Sequence, residues 1–569
     1  GFGIAFVVVT ATHSSGSAIR IVSVAAMSPL PTKAGTTHRP ATSSSPAPGP
    51  PKALFHPPPF LSSMNLGRLF RSKPTPRIAA SPPFNYLELR AKPFYIVASV
   101  EVGNTTTKCV LTATDMNTGK TYIVNKTVKM TRDVRLPKPG EEIFAHTING
   151  TPLTEQSIAE LVKSTLIESH ERARLDIKSD LHFVVRSTGV VAELDSPDQV
   201  GAFIQALARG CLDAGVPPRL MTPAMSIHNI LDKFKRLTMI EKVIFMGAVA
   251  SCFPPQGSTG VEVVANEMEG ELATAGIKEG SRWTDVDFRN PCLSMDFGTT
   301  LDGRVTSDEL PYAHTIGNLL GLAGAIPDAV VQGTGLVDKL TGAALDIFDG
   351  KTKPDYGKEA QQYAAQIDDL VKIERVPLSR TKYGLVPVSP QAAAENNVVL
   401  IGCDVGVNGS DLPKLSRIGS DLYQSKNLRT LFGTLDLAMA SVARRLVQVG
   451  VEEGVVTGKT ALGVTGRAGI SGGKPALIIE EIDKLKLYDE PEKNVVFVDD
   501  GLARGAAVMA RCMNSMGTPK NPLGGLRGSR CILKERMDYE AAKGAAPVPQ
   551  LDRPDQETHA YFQEGHERA

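Results

Sequence analysis

Two segments that lie far apart in the chain follow one pattern, and this repetition constrains the fold more than any other feature. They read Val100-Glu-Val-Gly-Asn-Thr-Thr-Thr-Lys108 and Met295-Asp-Phe-Gly-Thr-Thr-Leu-Asp-Gly303. In each, an apolar strand ends in a carboxylate, followed by one spacer, a glycine and a run of hydroxyl side chains. Such a turn can place backbone N–H groups and hydroxyls around a phosphate, with the carboxylate suited to Mg²⁺. One copy alone would favour an ordinary hairpin, but two predict related half-domains that face each other across a nucleotide.

The composition restricts the classes of function. The chain has 569 residues, 42% of them hydrophobic, which is enough for several domains with buried cores. Its formal net charge of +1 argues against nucleic acid or a membrane surface as a partner. The seven scattered cysteines indicate buried thiols in a reducing compartment rather than a zinc site or disulfides.

The two ends of the chain differ in composition from the part between them. Residues 1–92 are rich in Ser, Pro, Ala and Thr and contain one acid, so we expect this segment to be disordered. The basic, amphipathic stretch from Met64 to Lys73 is typical of an organelle transit peptide. A gene-model artefact, with translation starting near Phe94, is the alternative. We therefore expect a cytoplasmic protein, or a mitochondrial or plastid one if residues 64–92 are a transit peptide. The polar residues 516–569 predict a poorly ordered tail.

Apolar runs and turn residues predict the elements around the first turn. A three-strand antiparallel meander is predicted over Phe94–Val100, Lys108–Thr114 and Lys120–Val128. A helix is predicted from Thr154, its cap, to Ala173, and a strand over Leu181–Val185 runs into Arg186-Ser-Thr-Gly189. From Cys292 the opening pattern recurs.

Two glycine-rich motifs follow the second turn. A cluster between Ala461 and Lys474 contains Gly463, Gly466, Gly469 and Gly472. Glycines there would let the backbone approach an adenosine closely, although a flexible surface loop is the alternative. The small residues of 501–510 predict a helix that crosses another helix at short distance and forms a hinge.

Other acids have ordinary interpretations. Glu267 and Glu271 lie four residues apart on a predicted helix, and we interpret them as a solvated acidic face. Asp302, Asp499 and Asp500 lie beside or near glycines and are interpreted as turn formers.

The order of these motifs resembles that of the actin, heat-shock chaperone and sugar-kinase superfamily. The turn Gly103-Asn-Thr-Thr-Thr-Lys108 is similar to that of diol dehydratase reactivating factors and of activators of 2-hydroxyacyl-CoA dehydratases. Over the whole chain the similarity is greatest to the archaeal family called methanogenesis marker protein 14. The stretches that carry it are Ala98–Lys108, Phe183–Gly189, Asn266–Leu272, Phe297–Arg304 and Val498–Ala507.

This resemblance implies an α/β protein with two ribonuclease-H-like lobes around a nucleotide cleft, the actin-like ATPase fold. The lobes would be residues 93–190 and 291–515, with an inserted α/β domain, residues 191–290, that resembles the swivelling domain of reactivases. The implied ligands are ATP and Mg²⁺, with Asp296 and Glu101 as catalytic and metal-binding residues. The implied nucleotide-binding residues are Gly103, Asn104, Thr105, Thr106, Lys108, Gly298, Thr299, Thr300, Gly463, Gly466, Gly469 and Gly472.

One departure from the superfamily concerns hydrolysis. The first phosphate motif usually has Asp where this chain has Glu101, and the extra methylene moves the carboxylate by about 1.5 Å or forces another rotamer. We expect an ATP-binding, ATP-hydrolysing conformational switch that reactivates or assembles a partner enzyme linked to methanogenesis. A nucleotide-binding scaffold without turnover and a small-molecule kinase are the alternatives, and homo-oligomerisation is left open.

Overall fold

The computed structural model describes residues 75–89, 91–190, 197–221, 267–308, 315–388, 390–395, 397–514, 526–527, 530–531 and 542. In chain order the strands are β1 (Arg77–Ala79), β2 (Phe94–Val102), β3 (Thr106–Asp115), β4 (Thr121–Met130), β5 (Ala145–His146), β6 (Pro152–Leu153), β7 (Phe183–Thr188), β8 (Cys292–Phe297), β9 (Thr300–Thr306), β10 (Thr315–Leu322), β11 (Val371–Arg375), β12 (Lys382–Tyr383), β13 (Val386–Pro387), β14 (Val399–Val405), β15 (Ala461–Thr465), β16 (Val495–Val498), β17 (Leu526–Arg527) and β18 (Arg530–Cys531).

The α-helices are α1 (Glu155–Ala173), α2 (Pro197–Asp213), α3 (Glu267–Gly280), α4 (Ala325–Gly333), α5 (Lys358–Leu370), α6 (Pro390–Glu395), α7 (Leu412–Leu422), α8 (Leu428–Glu452), α9 (Arg467–Ile470), α10 (Lys474–Lys484) and α11 (Gly501–Asn514). Within the described residues, these helices include none with the length and apolar character needed to cross a bilayer.

The first sheet has the strand order β4-β3-β2-β7. β2, β3 and β4 form the predicted antiparallel meander, and β7 lies parallel to β2. Successive residues of β2 point to opposite faces, and both faces are buried, as its continuous apolar run predicts. One face packs against α1 and α2. The predicted cap of α1 is confirmed, because the Thr154 side chain accepts a hydrogen bond from the Ser157 backbone N–H.

The second sheet repeats this strand order within a larger array, β1-β16-β15-β8-β9-β10-β14-β11. β8, β9 and β10 form an antiparallel meander, and β15 lies parallel to β8 as β7 does to β2. A hydrophobic core beneath the sheet includes residues of α4, α7, α8 and α10. The repeated sequence pattern therefore corresponds to a repeated strand order in a mixed α/β fold.

A short strand, β1, lies in the segment whose composition predicts disorder. It pairs in parallel with β16 and buries Ala79 completely, and Arg77 Nε donates to Asp285 Oδ1 at 2.7 Å. β16 has fully buried valines at Val496 and Val498, so β1 covers what would otherwise be an apolar edge. Composition averaged over many residues cannot detect a pairing of this length.

α3 and α11 cross in contact with both sheets. Leu272 and Ala273 of α3 pack with α11 on the first sheet, whereas Ile277 packs on the second. The helix backbones touch, since a Cβ added to Gly276 would lie 1.7 Å from the Gly501 carbonyl oxygen, and one added to Gly505 would lie 2.0 Å from that of Leu272. The predicted close helix crossing is therefore confirmed.

A buried ion pair fastens this helix pair to the first sheet. Arg504 of α11 is 1% exposed, and its Nη1 lies 3.1 Å from Glu279 Oε2 of α3. Both side chains also bond the backbone of Thr121, because Arg504 donates to its carbonyl oxygen and Glu279 accepts from its N–H. The edge strand β4 is thus held by both helices.

Much of the predicted inserted domain, residues 222–266, lies outside the described residues. Of its flanks, α2 packs against α1 on the first sheet, and α3 lies between the two sheets.

We expect Gly276→Ala to lower the free energy of unfolding by about 3 kcal/mol, because the new methyl group meets backbone that cannot move aside. At an uncrowded position inside a helix, a Gly→Ala change would raise the free energy of unfolding by up to about 1 kcal/mol, so a decrease at Gly276 indicates a steric clash. Urea unfolding measures it. Gly357→Ala is the control, since Gly357 is the N-cap of α5 with φ −64° and its nearest contact is the Asp355 side chain, so its loss should stay below about 1 kcal/mol. Unchanged stability of Gly276→Ala would contradict the close crossing.

Candidate functional site

The two glycine turns of the sequence pattern meet in the structure. Thr105 Oγ1 of the first turn lies 2.7 Å from Thr299 Oγ1 of the second. Both turns are tight, because a Cβ at Gly103 would lie 3.0 Å from the Thr106 carbonyl oxygen, and one at Gly298 would lie 3.2 Å from that of Thr300. The hydroxyl-bearing turns of the two sheets therefore share one location.

Neighbouring segments hold the first turn in place. Thr131, which follows β4, donates its hydroxyl to the Gly103 carbonyl oxygen at 2.8 Å and its N–H to that of Thr105 at 2.9 Å. The Asn104 side chain accepts from the Ile148 N–H at 2.9 Å, so its oxygen serves the loop in this structure. The second turn is braced at the start of α4, because the Gly324 N–H donates to the Gly298 carbonyl oxygen at 2.8 Å.

An ion pair lies beside the first turn. Glu101 and Lys108 are direct partners across β2 and β3, and Lys108 Nζ lies 2.9 Å from Glu101 Oε2. Burial lowers the pKa of Lys108, but the negative charges of Glu101, Asp500 and Asp296 outweigh it and raise that pKa above its ordinary value. This lysine is therefore a charged group shared among several carboxylates.

Asp296, at the end of β8, is the buried acid of the second turn. It is 4% exposed, and a Cβ added to Gly466 would lie 2.3 Å from its Oδ1. Burial raises the pKa of Asp296 to about 7, with Glu101 adding to the rise and Lys108 opposing it. Near neutral pH this carboxyl group is balanced between its two protonation states.

A third buried carboxyl group, Glu269 of α3, was missed by sequence reasoning. It is 6% exposed, and its carboxyl group lies within hydrogen-bonding reach of the Asp302 carboxyl group. Its Oε2 would lie 3.1 Å from a Cβ at Gly189, the last residue of Arg186-Ser-Thr-Gly189. Burial, together with the charges of Glu101 and Asp296, raises the pKa of Glu269 well above its ordinary value.

The interpretation of the α3 acids as a solvated face is wrong for Glu271. That residue is buried, and its Oε2 lies 3.2 Å from Arg304 Nη1 of β9. The reason is the close approach of Gly270 to β9, where a Cβ would lie 3.3 Å from the Gly303 backbone nitrogen. The signal available in the sequence was Gly270, because a glycine between Glu269 and Glu271 allows that face of the helix to pack closely against backbone. The side chain of Glu267 is outside the described residues.

The glycines of the 461–474 cluster have different surroundings. Gly466 adopts φ +82° beside Asp296, and Gly472 adopts φ +66° beside the Asp436 carboxylate of α8. By contrast, a Cβ at Gly463 would meet Ile277 at 2.4 Å, and one at Gly469 would meet Phe297 at 2.7 Å. Gly463 and Gly469 thus allow close packing of apolar side chains in the core.

Of the three acids predicted as turn formers, Asp302 and Asp500 have buried side chains near the site, whereas Asp499 is exposed. Asp302 is opposite Asp296 in the β8–β9 register. Asp500 precedes α11 with φ +53°, and its Oδ1 lies 2.7 Å from Lys126 Nζ. Within the described part of the chain, no three acid, histidine or cysteine side chains form a ready metal cage. Carboxylate oxygens are ligands that Mg²⁺ accepts, and this ion usually keeps several waters besides one or two carboxylates.

Comparison with known proteins relates the chain to archaeal sequences. The sequence model of a family described as "Uncharacterized protein conserved in archaea (DUF2114)" matches residues 94–540. "Uncharacterized protein MJ1451" of Methanocaldococcus jannaschii is 55% identical over 476 residues, which are 84% of this chain and 97% of the relative. An "Uncharacterized protein" of Methanothermobacter thermautotrophicus is 51% identical over 492 residues, 86% of this chain and 91% of the relative.

Two solved structures have distant similarity to the fold. A "Reductive activator for corrinoid,iron-sulfur protein" has a TM-score of 0.31 and 9% identity, covering 74% of this chain and 61% of the activator, less than two thirds of it. The ROK hexokinase from Thermus thermophilus has a TM-score of 0.28 and 11% identity, covering 74% of this chain and 99% of the kinase. Both scores are too low to support a function for this chain.

We expect Glu269→Gln to stabilise the protein at about pH 8 without Mg²⁺, by about 1–3 kcal/mol. The pKa of this acid is raised on folding, so its folded form binds more protons, and its contribution to stability falls as pH rises above the unfolded pKa. The gain should shrink toward about pH 5, where the folded carboxyl group is protonated. Urea unfolding at both pH values measures it.

Glu88→Gln is the control for this prediction, because Glu88 forms an exposed pair with Lys92. Its stability should stay within about 0.5 kcal/mol of the wild type. Destabilisation by Glu269→Gln at the higher pH would mean that Glu269 is ionised and favourably paired.

Proposed function

The chain belongs to the DUF2114 family of proteins conserved in archaea, and we propose that it binds ATP with Mg²⁺ and acts as a nucleotide-driven conformational switch on a partner enzyme. One observation carries this proposal. Two hairpin turns from sheets of the same strand order meet at the Thr105 and Thr299 hydroxyls, with the acids Glu101 and Asp296 at the ends of the preceding strands.

The turns would hold the phosphates. Gly103 and Gly298 allow the tight bends, and the hydroxyls and backbone N–H groups of Thr105, Thr106, Thr299 and Thr300 are the donors that phosphate oxygens need. Lys108 would add a positive charge, since its pKa keeps it protonated. Gly466 and Gly472, with their left-handed backbone, would line the adenosine side.

Mg²⁺ would lie against Asp296 and Glu101, with water completing its shell. The bound ion would neutralise phosphate charge and favour the ionised form of Asp296. The ionised Asp296 carboxylate would then be suited to orient a water molecule, with Glu269 nearby as a second acid.

The switch itself would act through α3 and α11. These helices contact both sheets, so a change in the distance between the turns would be carried by them. We propose that the first sheet with α1 and α2, and the second sheet with its helices, form the two lobes of an actin-like ATPase, and that the inserted domain between α2 and α3 contacts the partner. The resemblance to reactivating factors and to methanogenesis marker protein 14 supports a partner enzyme that takes part in methanogenesis.

A scaffold that binds nucleotide without turnover is the second candidate. The observation that favours it is the Glu101–Lys108 pair, because at 2.9 Å the lysine already neutralises the carboxylate that would face the metal. Such a pair would weaken the first acid as a metal ligand without preventing phosphate binding.

We expect the wild type to bind ATP with Mg²⁺ in calorimetry and to release phosphate slowly. Asp296→Asn should reduce phosphate release at least about tenfold, because an amide is a poorer metal ligand and cannot take a proton. Asp285→Asn is the control, since that acid is exposed and pairs with Arg77. Binding without release by the wild type would favour the scaffold, and absence of binding would refute both candidates.

We expect ATP with Mg²⁺ to change amide hydrogen exchange in α3 and α11 relative to ADP. These helices join the sheets, so closure of the turns should alter their protection, whereas α5 and α8, which pack against each other in the second sheet's core, should change little. Mass spectrometry of peptides from these helices measures it. Equal exchange in ATP and ADP would rule out the switch while leaving nucleotide binding intact.

A further inference from the structure

An arginine, Arg467, lies between the two turns. Arg467 begins α9 directly after Gly466, and its guanidinium forms a two-bond fork with Asp328 of α4. Nη1 donates to Oδ1 at 3.0 Å, and Nη2 donates to Oδ2 at 2.5 Å. The geometry is the planar match of guanidinium and carboxylate that fixes both groups.

Asp328 is itself held rigidly. Its side chain is 2% exposed, and its Oδ1 also accepts from the Ala344 N–H at 2.8 Å. A carboxylate with these bonds is a fixed anchor, so the direction of the Arg467 guanidinium is set by the fold rather than by solvent.

The anchored guanidinium faces the turns. Nη2 also donates to Thr105 Oγ1 at 3.3 Å, and that hydroxyl lies 2.7 Å from Thr299 Oγ1. On the side of the second turn, a Cβ at Gly324 would lie 3.0 Å from the same nitrogen. One donor atom therefore contacts the place where the proposed phosphate-binding turns meet.

The charge around the site distinguishes Arg467 from Lys108. The charge of Lys108 is shared among Glu101, Asp296 and Asp500. Arg467 instead forms its two-bond pair with Asp328, and the second hydrogen of its Nη2 is donated to the neutral hydroxyl of Thr105. A hydrogen bond from guanidinium to phosphate is shorter and about twice as strong as one to a neutral group. A phosphate oxygen would accept the Nη2 hydrogen in place of Thr105 Oγ1 without breaking the fork, on the side of Nη2 away from Asp328 Oδ2, which lies 3.5 Å from that hydroxyl.

We propose that Arg467 contacts the terminal phosphate of the bound nucleotide, that Asp328 is its positioning residue, and that the pair makes the site prefer a nucleoside triphosphate to a diphosphate. This inference rests on the proposed nucleotide binding and adds the group that distinguishes the two nucleotides. The competing explanation is a structural clamp that joins the turns and has no contact with phosphate.

Calorimetry with ATP and with ADP, each with Mg²⁺, tests the inference on the full chain. Arg467→Gln should weaken ATP binding about tenfold or more and ADP binding less than about threefold, because ADP lacks the contacted phosphate. Arg445→Gln is the matched control. Arg445 also pairs with an aspartate, Asp368, at 3.0 Å, and its side chain is 23% exposed against 21% for Arg467.

A second variant, Asp328→Asn, keeps the acceptor for Ala344 and retains Arg467, but it removes the charge of the fork. It should lower the ATP-to-ADP preference in the same direction, and thermal unfolding of both variants checks that they are folded. If either folded variant loses affinity for ATP and ADP equally, or keeps the wild-type preference for ATP, then Arg467 is a structural clamp without phosphate contact. The proposed nucleotide binding would stand in that case. If the wild type binds neither nucleotide, the inference and the proposed function fail together.

Discussion

The backbone contact between α3 and α11 is the constraint on which the site depends. Gly276 and Gly505 leave no gap for a side chain between the helices, so their separation is set by van der Waals contact between the two backbones. α3 buries residues against both sheets, and α11 begins with a hydrogen bond from the Gly501 N–H to Thr465 at the end of β15. Because the helices pack against both sheets, they help to bring the two turns into hydroxyl contact.

That arrangement concentrates negative charge. Glu101, Asp296 and Glu269 approach one another from three different elements, and Lys108 is the cation they share. Burial favours the neutral forms of Asp296 and Glu269 and raises their pKa values. The neighbouring negative charges raise them further, because like charges in a buried site resist ionisation. Such a site gains most from a ligand that brings positive charge with it. The metal–phosphate complex that we propose would meet this requirement better than a bare anion, because its metal would face the acids while its phosphates faced the turns.

Features that depend on local pattern could be predicted from the sequence. The meander, the cap at Thr154 and the two acid–glycine turns follow from strand periodicity and from the conformations that glycine permits. A glycine in the sequence indicates a close approach of the backbone but does not identify the neighbouring group. Gly463 and Gly469 could therefore not be told apart from Gly466 before the structure showed that they pack against Ile277 and Phe297. Glu269, Arg467 and β1 could not be predicted, because each acquires its place from a partner distant in the chain.

The positions of charged groups on α3 link the site to the first sheet. Glu269 lies near the beginning of this helix beside the acids of the turns, and Glu279 lies near its end, bonded to Thr121 of β4 and to Arg504 of α11. A cation at the site would reduce the repulsion between Glu269, at the beginning of α3, and the acids Glu101 and Asp296. α3 cannot respond by moving against α11, since their backbones are already in contact, and it cannot bend easily without breaking its own hydrogen bonds. Under the proposed switch the two helices would move together, and the Arg504–Glu279 pair would carry β4 with them.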